Sequence, residues 1–235
     1  MSDSSAPEAL VLPRGLIFIA SIWLIGCWLL TIGVETPIQP VSASYTPAVR
    51  LMLLCVCVGL LIGWPLLRLS QRWTPHPIAA TALDLLVLLS LVQVVLWPLR
   101  LVTPWSIART AAIDATVSSW LLIVGAIVAA AIGRRSSGVR QLAMLACVVL
   151  CLAGPLFVPL LDDLDADAGV RIIVSPLVAI YALGEGAGNA PSAEQWQRIA
   201  ALGCAAVIAW TSLLVLLRVR PVTMHDASMT RRATP

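Results

Sequence analysis

The sequence predicts an all-α polytopic membrane protein, with six transmembrane helices and a short re-entrant or interfacial helical segment between spans five and six. Three observations predict it. Hydrophobic residues make up 60% of the 235 positions and charged residues only 11%, against about 25% charged in a soluble domain. Six apolar runs are each long enough to cross a bilayer as a helix. Arginine is distributed unevenly between the two sets of connecting loops. A soluble fold of this length could not cover that much apolar surface, so the lipid bilayer is the implied surroundings. The runs lack the alternation of a β-barrel, which leaves helices as the spanning element.

The first run, Gly15–Val34, follows Arg14. It reads as a span and not as a cleaved leader, because it exceeds a usual leader core and its n-region sets one Arg against Asp3 and Glu8. The second run, Leu51–Leu67, lies between Arg50 and Arg68. The third, Ile78–Leu99, carries Asp84, the one acid that this placement puts well inside a span. Such a carboxylate costs a few kcal/mol unless it is protonated, solvated near an interface or capped by a neighbouring helix. Gln93 lies two and a half turns along the same helix and so faces away from Asp84.

The fourth run, Thr116–Gly133, repeats small residues every fourth position at Gly125, Ala129 and Gly133. The sixth, Ile199–Leu217, does the same at Ala201, Ala205 and Ala209. Faces of this kind let helix backbones approach closely, within a chain or between copies. The fifth run, Leu142–Leu161, places Cys147 and Cys151 on one face. These cysteines, with Cys27, Cys55, Cys57 and Cys204, all fall within apolar runs, as small buried hydrophobes do. No disulfide framework is implied.

Orientation follows from arginine. With the N-terminus cytoplasmic, the inner side holds ten arginines: Arg14, Arg68, Arg72, Arg134, Arg135, Arg140, Arg218, Arg220, Arg231 and Arg232. The outer side holds five: Arg50, Arg100, Arg109, Arg171 and Arg198. The positive-inside rule then places both termini in the cytoplasm of an inner (plasma) membrane protein. The domain plan is a cytoplasmic tail at 1–14, a membrane domain at 15–217 and a cytoplasmic tail at 218–235. Trp73, Trp105 and Trp196 fall where aromatic belts sit. Outside, Arg109 and Asp114 are spaced to pair.

The connection between spans five and six is the most informative. It opens with the acidic run Asp162-Asp163-Leu164-Asp165-Ala166-Asp167, continues through an apolar stretch from Val170 to Leu183 broken at Ser175-Pro176, and then turns Gly-rich. A stretch of fourteen residues is short for a span. A re-entrant or interfacial helix pair hinged at Pro176 fits better. The acidic run lacks the Gly and Glu that a calcium loop needs and reads as a solvated loop.

The composition also excludes chemistry. There is no Lys, hence no Walker A motif and no Schiff base. The two histidines, His76 and His225, lie outside the spans, which removes bis-histidine haem and a Ser–His intramembrane protease. No cofactor and no enzymatic activity are expected. A net charge of +3 offers no argument for nucleic acid.

The six spans, the cytoplasmic termini and the segment Ser175-Pro176-Leu177-Val178-Ala179-Ile180-Tyr181-Ala182-Leu183 before the last span together resemble the permease subunit of ABC-type exporters. The resemblance implies short outer helices between the last two spans, with Ser175 and Pro176 at an outer gate. It also implies a separate ABC ATPase and a homodimer or paired permease. The short basic inner loops, carrying Arg68, Arg72, Arg134, Arg135 and Arg140, are the candidate docking points. The family usually carries an amphipathic helix before span one, and residues 1–13 have little such character. Two other readings remain open: a non-catalytic assembly or scaffold subunit of an inner-membrane complex, and an ion- or proton-coupled transporter using Asp84.

Overall fold

The computed structural model describes residues 13–33, 42–71, 74, 76–134, 136–163, 175–185 and 189–219, with the side chains of 42–43, 157–163 and 217–219 excepted. Among the described residues the chain is helical throughout, and six helices are long and apolar enough to cross a membrane.

Helix α1 runs Arg14–Trp28 and closes with a π-turn, Leu29–Gly33. Helix α2 is built of three continuous pieces: Ser42–Val58, a π-turn at Gly59–Gly63, and Trp64–Ser70. Helices α3 (Pro77–Leu99), α4 (Ile107–Ile132) and α5 (Ser137–Asp163) follow. A short helix, α6 (Pro176–Glu185), precedes α7 (Ala193–Val219). With six spans, α1 begins and α7 finishes at one end of the bundle, the terminal end. The short helix α6 sits at the far end.

Helix α4 is the axis of the bundle. It packs against α2, α3, α5, α6 and α7, and 67% of its apolar window is buried, against 6% for α1. Its small residues explain the difference. Gly125 lies under Leu85 of α3, and a Cβ there would stand 2.7 Å from the Leu85 Cδ1. Ala129 is buried, and Gly133 faces Pro77. On α3 the buried positions Thr81, Asp84, Leu85, Leu88, Val92, Leu96 and Leu99 form one stripe at helical spacing. The opposite faces carry Leu86 and Val94 outward, the expected character of a lipid-facing surface.

The helices extend beyond the predicted spans where their first turns are polar. Span two begins at Ser44 and not Leu51, and includes Pro47 inside the helix, where its missing N–H leaves one backbone bond unmade. Span four begins at Ile107 and not Thr116. Ser106 is its N-cap, accepting from the Arg109 N–H at 3.2 Å. Span six begins at Ala193 and not Ile199, because Ser192 and Gln195 form a reciprocal capping box. The earlier start of α4 corrects one expectation directly: Asp114 lies two turns inside a span, so Asp84 is not the only intramembrane acid.

The short helix expected between spans five and six is present from Pro176 on. Pro176 is the first residue of α6, with Ser175 ahead of it, the ordinary place for proline in a helix. The half of the segment before Ser175, the acidic loop 164–167 and the tails 1–12 and 220–235 lie outside the described residues.

Candidate functional site

Two polar constellations lie inside this apolar bundle, one at each end. At the terminal end, Trp64 and Arg68 are one helical turn apart on α2 and point the same way. Both reach Asp84 of α3. The Arg68 Nε stands 2.9 Å from the Asp84 Oδ2, and the Trp64 indole Nε1 donates to the same oxygen at 3.4 Å. The carboxylate is 3% exposed and the guanidinium side chain 19%, so the pair is sheltered on the acid's side and reaches the interface on the base's. The Arg68 Nη1 also donates to the Gln71 Oε1 at 2.6 Å, and the Arg140 Nη1 of α5 donates to the Gln71 carbonyl at 2.8 Å. One continuous polar chain thereby ties α3, α2 and α5 together.

This arrangement corrects the placement of Arg68. The sequence places it in an inner loop as a docking residue, whereas it lies within α2 and pairs with Asp84. Arg140 is likewise engaged, whereas Arg134 is exposed. Arg72 and Arg135 lie outside the described residues. Proximity of Arg68 to Asp84 has a sequence signal in retrospect: the two residues sit at similar depth on either side of a short turn between adjacent spans.

The geometry of α2 just before this pair is unusual. The Trp64 N–H donates to the Gly59 carbonyl, five residues back, where a regular α-helix would reach four. Pro65 lacks an N–H and cannot serve the carbonyl of Leu61, which favours the wider turn. Gly59 is also pressed against the Trp23 indole of α1, whose Nε1 donates to the Cys55 carbonyl at 3.1 Å. Beside this turn lies an apolar cavity of about 200 Å³, lined by α1, α2 and α3 and including Gly63, Trp64 and Leu67.

At the far end, α6 is held at both of its termini. Ser175 is buried and its Oγ donates to the Cys151 carbonyl at 3.3 Å. Gly154 gives Ser175 room that no other residue would. At the other terminus the Arg109 Nη1 donates to the Leu183 carbonyl at 2.7 Å, and its Nε to the Asn189 carbonyl at 2.9 Å. The Trp105 Nε1 donates to the Gly184 carbonyl at 3.3 Å. Arg50 lies 3.7 Å over the Tyr181 ring and pairs loosely with Glu185 at 3.8 Å. Helix C-termini leave carbonyls without partners and carry partial negative charge, and two arginines and an indole answer both here.

Two expectations are corrected by this cluster. Arg109 does not pair with Asp114, because it is drawn across to the carbonyls at the end of α6. Asp114 instead accepts from the Gln93 Nε2 at 2.6 Å, with Trp97 and Ser118 joining the network. Trp105 is not a belt residue: it is buried beneath α6. Ser175 and Pro176, the residues expected at an outer gate, are both buried.

All six cysteines are free, and among the described residues no group of His, Cys, Asp and Glu is arranged to hold a metal ion. Comparison with protein-family models, with curated proteins and with solved structures finds no match for this chain.

Proposed function

We propose that this multi-pass membrane protein is a transport component, an exporter permease-like subunit that works with a separate ABC-type ATPase. The observation that carries the reading is the short helix α6, seated at the far end between spans five and six and clamped by Ser175 at one terminus and by Arg109 and Trp105 at the other. A short outer helix at that place is the element expected of a six-span exporter permease. In this reading the terminal end is cytoplasmic, as the arginine count argues, and the loop after Ser70 together with exposed Arg134 faces the ATPase. A permease of this kind acts as a homodimer or beside a paired subunit.

A second reading, a non-catalytic scaffold subunit, draws support from α7. Its Ala201 and Ala205 lie on an exposed face, so a small-residue surface is left for another helix outside the chain. The third reading, coupling through Asp84, has the least support. A carboxylate already paired with Arg68 and bonded by Trp64 is poorly placed to bind and release a proton or cation in turn.

The deciding experiment is affinity purification from native membranes in mild detergent, followed by mass spectrometry. A stoichiometric ABC ATPase in the eluate is the expected result. Other membrane subunits without an ATPase would replace the permease reading with the scaffold.

A further inference from the structure

We propose that the last two turns of α2, Trp64–Ser70, form a latched lever. The π-turn Gly59–Gly63 is its pivot, and the Arg68–Asp84 ion pair and the Arg140–Gln71 bond are its latches. The proposal does not depend on any ATPase and concerns this chain alone.

Three independent features converge on it. The first is a weak point in the helix. The turn is wound to five-residue bonds, is bounded by Gly59 and Gly63, and is followed by Pro65, which removes a further backbone bond. π-turns inside α-helices are rare and concentrate at functional places, and sharp changes of helix direction occur at such turns and at proline. The second is room to move. The cavity of about 200 Å³ opens along Gly59, Gly63, Trp64 and Leu67, and its walls on α1 and α3 are apolar side chains. The space beside Gly63 is open as well, with only the Val58 carbonyl at 4.0 Å from an added Cβ.

The third feature is where the polar contacts fall. Trp64, Arg68 and Gln71 repeat at four and three residues and form one stripe beyond the pivot. Every one of them is engaged: Trp64 and Arg68 by Asp84 on α3, and Gln71 by Arg140 on α5. On the near side of the pivot, α2 is held by ordinary core packing through Val49, Met52, Leu53 and Val56. Beyond the pivot Trp64, Pro65 and Leu69 are buried in the core as well, and the charged contacts add to that packing a hold that can be broken and remade. Release of the latch swings Arg68 and Gln71 away from α3 and α5, while the residues before Gly59 stay in place.

Hydrogen exchange on the purified full chain in detergent tests this, read segment by segment by mass spectrometry. Asp84→Asn removes the charge partner of Arg68 and keeps the shape. The expected result is exchange about ten-fold faster or more across 64–71, with residues 49–58 unchanged. The swapped pair Arg68→Asp with Asp84→Arg returns protection toward the starting level. Gly63→Ala, which meets no obstruction, stiffens the pivot and slows exchange of 64–71 by roughly two- to five-fold. Unchanged exchange in Asp84→Asn, or a rise spread evenly over 49–71, overturns the lever. Should Asp84→Asn fail to fold, Gly63→Ala decides alone. Slowing confined to 64–71 upholds the pivot, and no slowing, or slowing along all of α2, overturns it.

Discussion

Gly154 of α5 lies directly against Ser175, the residue that opens α6. The Cα of Ser175 alone would stand 3.2 Å from a Cβ on Gly154, and its Cβ and Oγ closer still. The short helix is thus seated on a bare stretch of α5. Gly154→Ala is expected to lower stability by about 1–3 kcal/mol through overpacking. Thermal unfolding in detergent measures it, with Gly138→Ala as the control, since a Cβ there meets nothing nearer than the Ser136 Oγ at 3.8 Å. Adding Ser175→Gly to Gly154→Ala should recover part of the loss, because it removes the atoms that collide.

Arg109 is the clamp at the other terminus of α6. Truncation to alanine strands the Leu183 carbonyl in a buried setting, while the Asn189 carbonyl, on an exposed residue, can turn to solvent. An unanswered buried group costs about 1–3 kcal/mol, so Arg109→Ala should lose about that much. Arg109→Lys should fall between the two, since an ammonium cannot reproduce the two-nitrogen fork. Exposed Arg100→Ala serves as the control. Thermal unfolding and the exchange rate of residues 176–185 read both effects, and equal stability of Arg109→Ala and Arg100→Ala would refute the clamp.

The contrast between these two ends of α6 shows what a sequence can disclose. The six spans were legible because hydropathy over about 20 residues is set by the solvent and needs no knowledge of neighbours. Ser175-Pro176 was legible as a break, since proline lacks a donor wherever it stands. The partners of Arg109 were not legible. They are backbone carbonyls 74 and 80 residues away, and a carbonyl has no side-chain signature. Asp114 looked like the natural partner at a distance of five residues, yet a residue on a helix pairs best at three or four. Arg68 was read as loop because charge usually marks a span's end. It lies in the last turn of α2 and turns inward to Asp84, a choice that depends on how α2 and α3 pack.

The Arg68–Asp84 pair makes a stability prediction separate from any motion. Removing Arg68 leaves Asp84 charged in a sheltered place, so Arg68→Leu should cost about 3–5 kcal/mol, and Asp84→Leu less, because Arg68 reaches the interface and keeps Gln71. Replacing both, as Arg68→Leu with Asp84→Leu, should cost much less and approach the native stability, because the desolvation of both charges is relieved together. Denaturant titration in mixed micelles over the four combinations gives the coupling between the two sites. A double variant as damaged as the sum of the singles would mean that the residues act independently.

The two small-residue ladders look equivalent in sequence and should behave differently. Gly125 is closed in by Leu85, whose Cδ1 and Cδ2 would lie 2.7 Å and 3.1 Å from an added Cβ. Gly125→Val therefore forces α3 and α4 apart, at about 1–3 kcal/mol for overpacking. Ala205 is exposed on α7, so Ala205→Val should leave the folding of a single chain within about 0.5 kcal/mol. Thermal unfolding in detergent compares the two. The same pair of variants separates contacts within the chain from contacts between copies. A change in chemical cross-linking between chains in Ala205→Val, at unchanged unfolding temperature, would locate a helix partner on the outer face of α7, where none of this chain's own helices needs the small side chain.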